Sequence, residues 1–301
     1  MKQIVVISGK GGTGKTIITA SFASLSNNAI AADCDVDAAD LHLLLHPEIK
    51  ERHRFKGLPK AEISQDRCTG CGRCYDVCRF DAVQKKHNCE TAAPQNQTTH
   101  FFIDHQSCEG CKVCYYACPE DVITMRENVS GEWYVSETKY GPMVHARLGI
   151  AEENSGKLVT IVRENARSIA EKRNLDFVIV DGPPGIGCPV IASLSGVDIA
   201  LVVTEPTLSG IHDMERVIDV ARHFGVETAC IINKYDINLE NSKSIENWCN
   251  KNKIPVLGKI PFDNSVSESV VKGVPIVEYT ESEVTWVIKG IWQEILKTKE
   301  K

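Results

Sequence analysis

Gln3-Ile-Val-Val-Ile-Ser8, followed by Gly9-Lys10-Gly11-Gly12-Thr13-Gly14-Lys15-Thr16, decides how the rest of the chain is read. Residues 3–8 form a short apolar run broken by Gly9, the pattern of a buried parallel strand. Thr16-Ile-Ile-Thr-Ala-Ser-Phe-Ala then reads as the first turns of a helix. Between them stands G-x4-G-K-[ST]. Its glycines carry no Cβ, so backbone N–H groups can curl around phosphate oxygens, and the following helix presents its positive N-terminus. In such a loop Lys15 reaches the β- and γ-phosphates and the Thr16 hydroxyl ligates Mg²⁺. Gly9, Gly11, Gly12, Thr13, Gly14, Lys15 and Thr16 are therefore the expected ATP contacts.

Outward from this loop, residues 29–32, 177–180, 199–203 and 229–232 are further short apolar runs. Helical-period segments, notably 157–173 and 209–224, separate them. Strands alternating with helices predict an α/β fold, a mostly parallel, doubly wound sheet covered on both faces. Two of the strands end in acids. Asp33-Cys34-Asp35 follows the second, and Phe177-Val-Ile-Val-Asp181-Gly-Pro-Pro-Gly185 closes another. By its resemblance to the Walker B stretch of P-loop ATPases, this second segment implies that Asp181 holds Mg²⁺ through water.

The 301 residues suffice for one large domain and a small insert. A net charge of −6 argues against a surface that coats nucleic acid. No apolar run reaches the roughly 18 residues of a membrane span, and MKQIVVISG is too short for a signal-peptide core. The expectation is a cytoplasmic protein with no nucleic-acid or membrane partner. Its 13 cysteines, in that reducing setting, point to metal rather than disulfides.

Eight of these cysteines form an internal repeat: Cys68-x2-Cys71-x2-Cys74-x3-Cys78 and Cys108-x2-Cys111-x2-Cys114-x3-Cys118. Three thiolates from one tight loop can hold three corners of a [4Fe–4S] cube, with the fourth from the other motif's last cysteine. The expectation is two clusters with crossed ligands: Cys68, Cys71, Cys74 and Cys118 for one, Cys108, Cys111, Cys114 and Cys78 for the other. Zinc is the competing reading, but its four thiolates in two pairs leave the third and fourth cysteines of each motif unexplained. The second half resembles bacterial ferredoxins fully, Pro119 included, whereas Arg79 follows Cys78 where that proline is expected. The predicted organisation is a first part of the nucleotide domain at 1–60, a small α+β two-cluster module at 61–125, and the rest of the nucleotide domain at 126–301. Cys89 has no assignment, and Cys34, Cys230 and Cys249 read as small apolar residues.

Lys10 together with Gly11-Gly12 makes the loop resemble the deviant Walker A family of MinD, ParA, the nitrogenase iron protein and the iron–sulfur scaffold ATPases. The resemblance covers 1–50 and about 157–280. It implies slow, Mg-dependent ATP hydrolysis in a homodimer formed on ATP binding, with Lys10 acting in trans beside Lys15. It further implies that Asp35 positions the attacking water, with Asp33 near the lysine and metal shell. Asn233 contacts the base, and Pro261 lies in the late base-packing loop. Cys188, which follows Asp181-Gly-Pro-Pro-Gly-Ile-Gly, sits near where the nitrogenase iron protein has a dimer-bridging cluster ligand. The stripe Val284, Val287, Ile288, Ile291, Trp292 and Ile295 reads as core-facing rather than membrane-targeting. The functional expectation is a nucleotide-dependent switch coupled to iron–sulfur or metallocofactor assembly or transfer, with an unidentified client or redox partner. ATP-gated electron transfer is the first alternative, and a MinD/ParA-like positioning protein with accessory clusters the second. A cobyrinate-amidating enzyme needs a glutaminase-type domain, for which the sequence has no segment.

Overall fold

The computed structural model describes residues 1–87, 99–149 and 155–297. It divides into two units: residues 1–53, 133–147 and 155–301, and residues 54–132 with 148–154. The strands are β1 (Lys2–Ser8), β2 (Ala29–Asp33), β3 (Glu48–Lys56), β4 (Lys60–Ile63), β5 (Val83–His87), β6 (Thr99–Ile103) and β7 (Ile123–Arg126). They continue with β8 (Val129–Thr138), β9 (Gly141–Leu148), β10 (Phe177–Pro184), β11 (Ile199–Thr204), β12 (Glu227–Asn233) and β13 (Val256–Ile260). The helices are α1 (Lys15–Leu25), α2 (His42–Leu45), α3 (Arg73–Asp76), α4 (Val113–Ala117), α5 (Ser155–Arg173) and α6 (Cys188–Leu194). After them come α7 (Leu208–His223), α8 (Leu239–Lys251), α9 (Asn264–Lys272), α10 (Ile276–Tyr279) and α11 (Glu283–Lys297).

The first unit is built on a sheet of order β13-β12-β11-β1-β10-β2-β9-β8-β3. From β13 to β9 neighbouring strands pair in parallel. Buried on both faces, these strands read as unbroken Val, Ile, Leu and Ala runs, as parallel sheets require. The expected strands are all present within a few residues. β3, β8, β9 and β13 of this sheet were not expected from the sequence; β3, β8 and β9 mix polar and apolar residues, so no single periodicity marks them.

The core on one side of the sheet joins Ile4, Val6, Ile179, Leu201 and Ile231 to Phe22 of α1 and to α11. Val284, Ile288, Ile291, Trp292 and Ile295 of α11 are all buried there, so its apolar stripe packs inward. The Trp292 ring stacks on Phe22 at 5.2 Å and touches Phe177 at the same centroid distance. Trp286, on the opposite face, is 63% exposed. No helix among the described residues is long and apolar enough to cross a membrane.

The second unit repeats its backbone as the sequence repeats its cysteines. Two antiparallel ribbons, β4–β7 and β5–β6, accompany the one-turn helices α3 and α4. Gly70 and Gly110 take φ of 71° and 65°, and Asp81 and Asp121 take 52° and 50°. Ile63 pairs with Ile123, so the strand entering the first repeat lies beside the strand leaving the second. Ala61, Ile63, Val83, Phe101, Val122 and Ile123 form a small core completed by Cys74, with more cysteines packed around it.

Phe22→Ala removes a fully buried ring from the α1–α11 contact and should lower the stability of the first unit by about 3–5 kcal/mol. Trp286→Ala should change it by less than about 0.5 kcal/mol. Urea unfolding midpoints of the two variants check this, and equal effects would contradict the packing described.

Candidate nucleotide site and cysteine cavities

The loop after β1, the end of β10 and the end of β2 meet because β10 lies between β1 and β2 in the sheet. Ligands of open α/β sheets bind at this carboxyl edge. Gly12 and Gly14 hold φ of 79° and 91°, where a Cβ is strained. A Cβ on Gly14 would also stand 2.5 Å from Asn233 Nδ2, and one on Gly9 would stand 2.3 Å from Asp213 Cβ. The glycines are thus required both by turn geometry and by close neighbours. Gly11 faces open space and carries no such constraint.

Lys15 is 5% exposed, and its Nζ lies 4.0 Å from Asp35 Oδ2. Asp181 is fully buried and accepts from Thr19 Oγ1 at 3.1 Å and from the Thr16 hydroxyl. Its second oxygen, Oδ2, and the Thr13 hydroxyl are buried with no hydrogen-bond partner among the described residues. Asp33 accepts the N–H groups of Asp35 and Leu41, both at 3.2 Å. The Cys34 N–H donates to the Asp181 carbonyl at 2.9 Å, tying β2 to β10.

Burial pushes all three carboxyls up. Desolvation, with Asp181 and Asp35 nearby, carries Asp33 well above the usual range. Desolvation raises Asp35 too, against the pull of Lys15, and raises Asp181 to about 6 against Thr16 and Lys15. Three clustered carboxyls beside one buried lysine leave uncompensated negative charge. That donor set, with an orphaned carboxylate oxygen beside the Thr16 hydroxyl, fits a hard divalent cation such as Mg²⁺.

Lys10 stands elsewhere. Its Nζ donates to Thr207 Oγ1 at 3.1 Å and lies 3.4 Å from Glu205 Oε2, while Glu205 also holds Lys234 at 2.5 Å. Asn233 Nδ2 donates to the Thr13 carbonyl at 2.8 Å, joining the end of β12 to the loop. Pro261 opens the segment after β13, where the Phe262 N–H donates to Asp236 at 2.7 Å and its ring is 52% exposed. The sequence reading missed Glu205, although the acid closing Val-Val-Thr-Glu205 repeats the signal used for Asp181. It also missed buried Arg163, which donates to the carbonyls of Ala192 and Ser195 and to Gln3 Oε1. Nothing local in the sequence marks that role.

In the second unit, Cys78, Cys108, Cys111 and Cys114 line one small cavity. Cys68, Cys71, Cys74 and Cys118 line another. The walls are otherwise largely apolar, with Ala61, Val83 and Ile103 in the first and Ile63, Phe101 and Ile123 in the second. Burial raises the Cys74 thiol to about 11 and lifts Cys114 as well. Among the described residues, no three His, Cys, Asp or Glu side chains are drawn together tightly enough to hold a metal ion as they stand. Cys188 is exposed at the start of α6, Cys34, Cys230 and Cys249 are buried, and Cys89 lies outside the described residues.

The raised Asp181 carboxyl has a measurable consequence. Its folded-state value of about 6 exceeds the ordinary 3.8, so the folded chain holds the extra proton between those values. The stabilisation from that proton is present at low pH and lost as pH rises through about 6. In nucleotide-free, magnesium-free protein, Asp181→Asn should therefore gain stability relative to wild type between about pH 4 and pH 7. Denaturation midpoints at the two pH values check it; a pH-independent difference would refute it.

The model of the CobQ/CobB/MinD/ParA nucleotide binding domain matches residues 4–276. An uncharacterized protein of Methanocaldococcus jannaschii, MJ0578, is 34% identical over 299 residues, covering 97% of this chain and 96% of its own. The iron-sulfur cluster carrier protein of Pyrococcus horikoshii is 28% identical over 141 residues, 42% of this chain and 47% of that one. In fold, the chain is similar to the cell division ATPase MinD of Pyrococcus furiosus, with TM-score 0.56, 19% identity and 99% of both chains covered. It is also similar to MinD in the MinC:MinD complex of Aquifex aeolicus, with TM-score 0.57, 18% identity and 99% and 96% covered. A family model that spans residues 4–276, and a relative 34% identical over nearly the whole chain, place this chain in the CobQ/CobB/MinD/ParA family of nucleotide-binding ATPase domains.

Proposed function

We propose that the chain is an ATP-hydrolysing iron–sulfur protein whose nucleotide state controls a ferredoxin-type module with two resident [4Fe–4S] clusters. The observation that carries this is the partition of eight cysteines into two cavities, each walled by three from one motif and one from the other. That is the crossed ligand set of two-cluster ferredoxins. Four thiols gathered in one pocket from two motifs are the number of protein ligands that a [4Fe–4S] cube takes. A zinc reading takes four thiolates in two pairs and leaves the third and fourth cysteines of each motif unexplained. The clusters supply one-electron redox chemistry when bound. The chain's part is to give up thiol protons on binding and to exclude water with the apolar walls.

At the nucleotide site, the loop N–H groups and Lys15 hold the phosphates. Thr16 and Asp181 hold Mg²⁺, and Asp35 orients the attacking water. Asn233 and Pro261 flank the base. Lys10, parked on Thr207 and Glu205 in the single chain, moves to the partner's nucleotide when two copies meet. Coupling to the module runs through covalent connections. β2, whose end carries Asp33, is hydrogen-bonded to β9 with Asp33 opposite His145. The chain crosses into the second unit just after Arg147. A shift at the acidic cluster is therefore passed directly to a strand that leads out of the nucleotide unit.

Because each ligand set is closed, the clusters are read as permanent electron carriers that serve a partner enzyme. The expectation of cluster assembly or transfer is the second reading. It is favoured by similarity to iron-sulfur cluster carrier proteins, which covers about half of this chain. Retention separates the two: a carrier loses iron to an apo-protein, whereas a reductase keeps it through many turnovers.

Anaerobically purified protein should contain about eight iron atoms per chain. Cys78→Ala and Cys111→Ala should each remove the same cluster, and Cys118→Ala the other, as read by EPR of single and double variants. Zinc in place of iron would end this reading. Lys10→Ala should keep ATP binding and lose on the order of 10³-fold in turnover, whereas Lys15→Ala should lose binding.

A further inference from the structure

Glu205 is one carboxylate shared by two lysines. Its Oε2 lies 3.4 Å from Lys10 Nζ, its Oε1 accepts from Lys234 Nζ at 2.5 Å, and its side chain is 14% exposed. Lys10 Nζ also donates to Thr207 Oγ1 at 3.1 Å and to Ser209 Oγ at 3.5 Å. The backbone behind this group is fixed. The Thr207 N–H donates to the Glu205 carbonyl at 2.8 Å, and a Cβ on Gly210 would stand 2.4 Å from that carbonyl. Asn241 Nδ2 donates to the Pro206 carbonyl at 3.0 Å. The loop that carries Lys10 presses on the same helix, α7, since a Cβ on Gly9 would meet Asp213. Lys10 thus rests in a built seat between its own loop and the start of α7.

In the proposed function Lys10 must leave that seat to reach the partner's nucleotide. Taking one member from a poorly hydrated ion pair normally strands the other as an uncompensated charge. The second lysine prevents this. With Lys10 seated, two cations face one carboxylate; with Lys10 gone, Glu205 and Lys234 remain as a one-to-one pair. Lys234 holds φ of 54°, a left-handed conformation that favours glycine, and its ion pair with Glu205 offsets part of that strain. It directly follows Asn233, whose Nδ2 donates to the Thr13 carbonyl and whose Oδ1 accepts the Lys234 N–H at 3.0 Å. One carboxylate therefore ties Lys10 to the corner at the end of β12.

We propose that Glu205 is a positioning residue that latches Lys10 within its own chain, with Lys234 as the counter-ion that lets the latch release when two copies close on nucleotide. The proposal rests on the role in trans given to Lys10 above. A latched lysine is a state that cannot pair, so the apparent dimer affinity is reduced by the unlatched fraction, once for each copy. Removing the carboxylate tightens the dimer. Removing the counter-ion strands Glu205 on release, and loosens it. Loss of an ordinary structural contact moves dimerisation in one direction, whereas this latch moves it in both.

The test uses the full chain, prepared anaerobically, in sedimentation velocity across a range of protein concentrations with magnesium and a non-hydrolysable ATP analogue. Binding of a fluorescent ATP analogue to dilute protein gives the nucleotide affinity of each variant separately. Glu205→Gln should lower the dimer dissociation constant about tenfold, a roughly threefold gain in unlatched fraction for each of two copies. Lys234→Gln should raise it about tenfold, and Lys234→Arg, which keeps the cation, should return it to within about threefold of wild type. An unchanged or weaker dimer in Glu205→Gln would overturn the latch. An unchanged or tighter dimer in Lys234→Gln, or loss of nucleotide from its dilute form, would overturn the counter-ion role. Should Glu205→Gln not fold, the contrast between Lys234→Gln and Lys234→Arg still decides. Wild type that stays monomeric with the analogue, or Lys10→Ala with wild-type turnover, sinks the role of Lys10 in trans, whereas a nucleotide-dependent dimer indifferent to Glu205 sinks only the latch.

Discussion

Three carboxyls buried at the ends of neighbouring parallel strands, with one buried lysine among them, are the constraint on which the first unit is organised. Charges of one sign in a low-dielectric site repel strongly and are poorly hydrated. Asp33 meets that cost with two backbone N–H donors, and Asp181 meets it with two hydroxyls. Neither arrangement neutralises the cluster, and Asp181 keeps an oxygen without a partner. In the proposed function a divalent cation with a polyphosphate relieves that repulsion, and the family to which the chain belongs binds nucleotide. Stability is given up at the sheet edge where binding occurs, and the core of Phe22, Trp292 and the apolar strands supplies it elsewhere.

The second unit faces the opposite shortage. Its core of small and medium apolar residues is completed by cysteine, and units of this size seldom gain enough from burial alone. In the proposed function, metal binding provides what the core lacks, because binding free energy to ligands assembled only in the folded state is folding free energy. The β4–β7 pairing matters here, since it brings the exit of the second repeat alongside the entry of the first. Cys118 is thereby grouped with Cys68, Cys71 and Cys74.

Connectivity gives the two halves a reason to share one chain. The second unit is spliced in at the end of the sheet nearer the acidic strand β2, through β3, β8 and β9, and not at the β13 end. In the proposed function the pairing of β2 with β9 is the route by which the nucleotide state acts on the module.

Much of this was legible in the amino-acid order, because the decisive signals are local. Gly12 and Gly14 must be glycine for their backbone angles, Lys15 and Thr16 follow by fixed spacing, and apolar runs ending in Asp33 and Asp181 report strands buried on both faces. The cysteine spacing likewise announced two equivalent loops. Tertiary structure alone decided the rest. It seated Lys10 on Glu205 and Thr207, placed Arg163 under carbonyls of α6 and its C-cap, and formed β8 and β9 from a stretch without clear periodicity. Those outcomes depend on groups distant in sequence meeting in space, which neither spacing nor periodicity encodes.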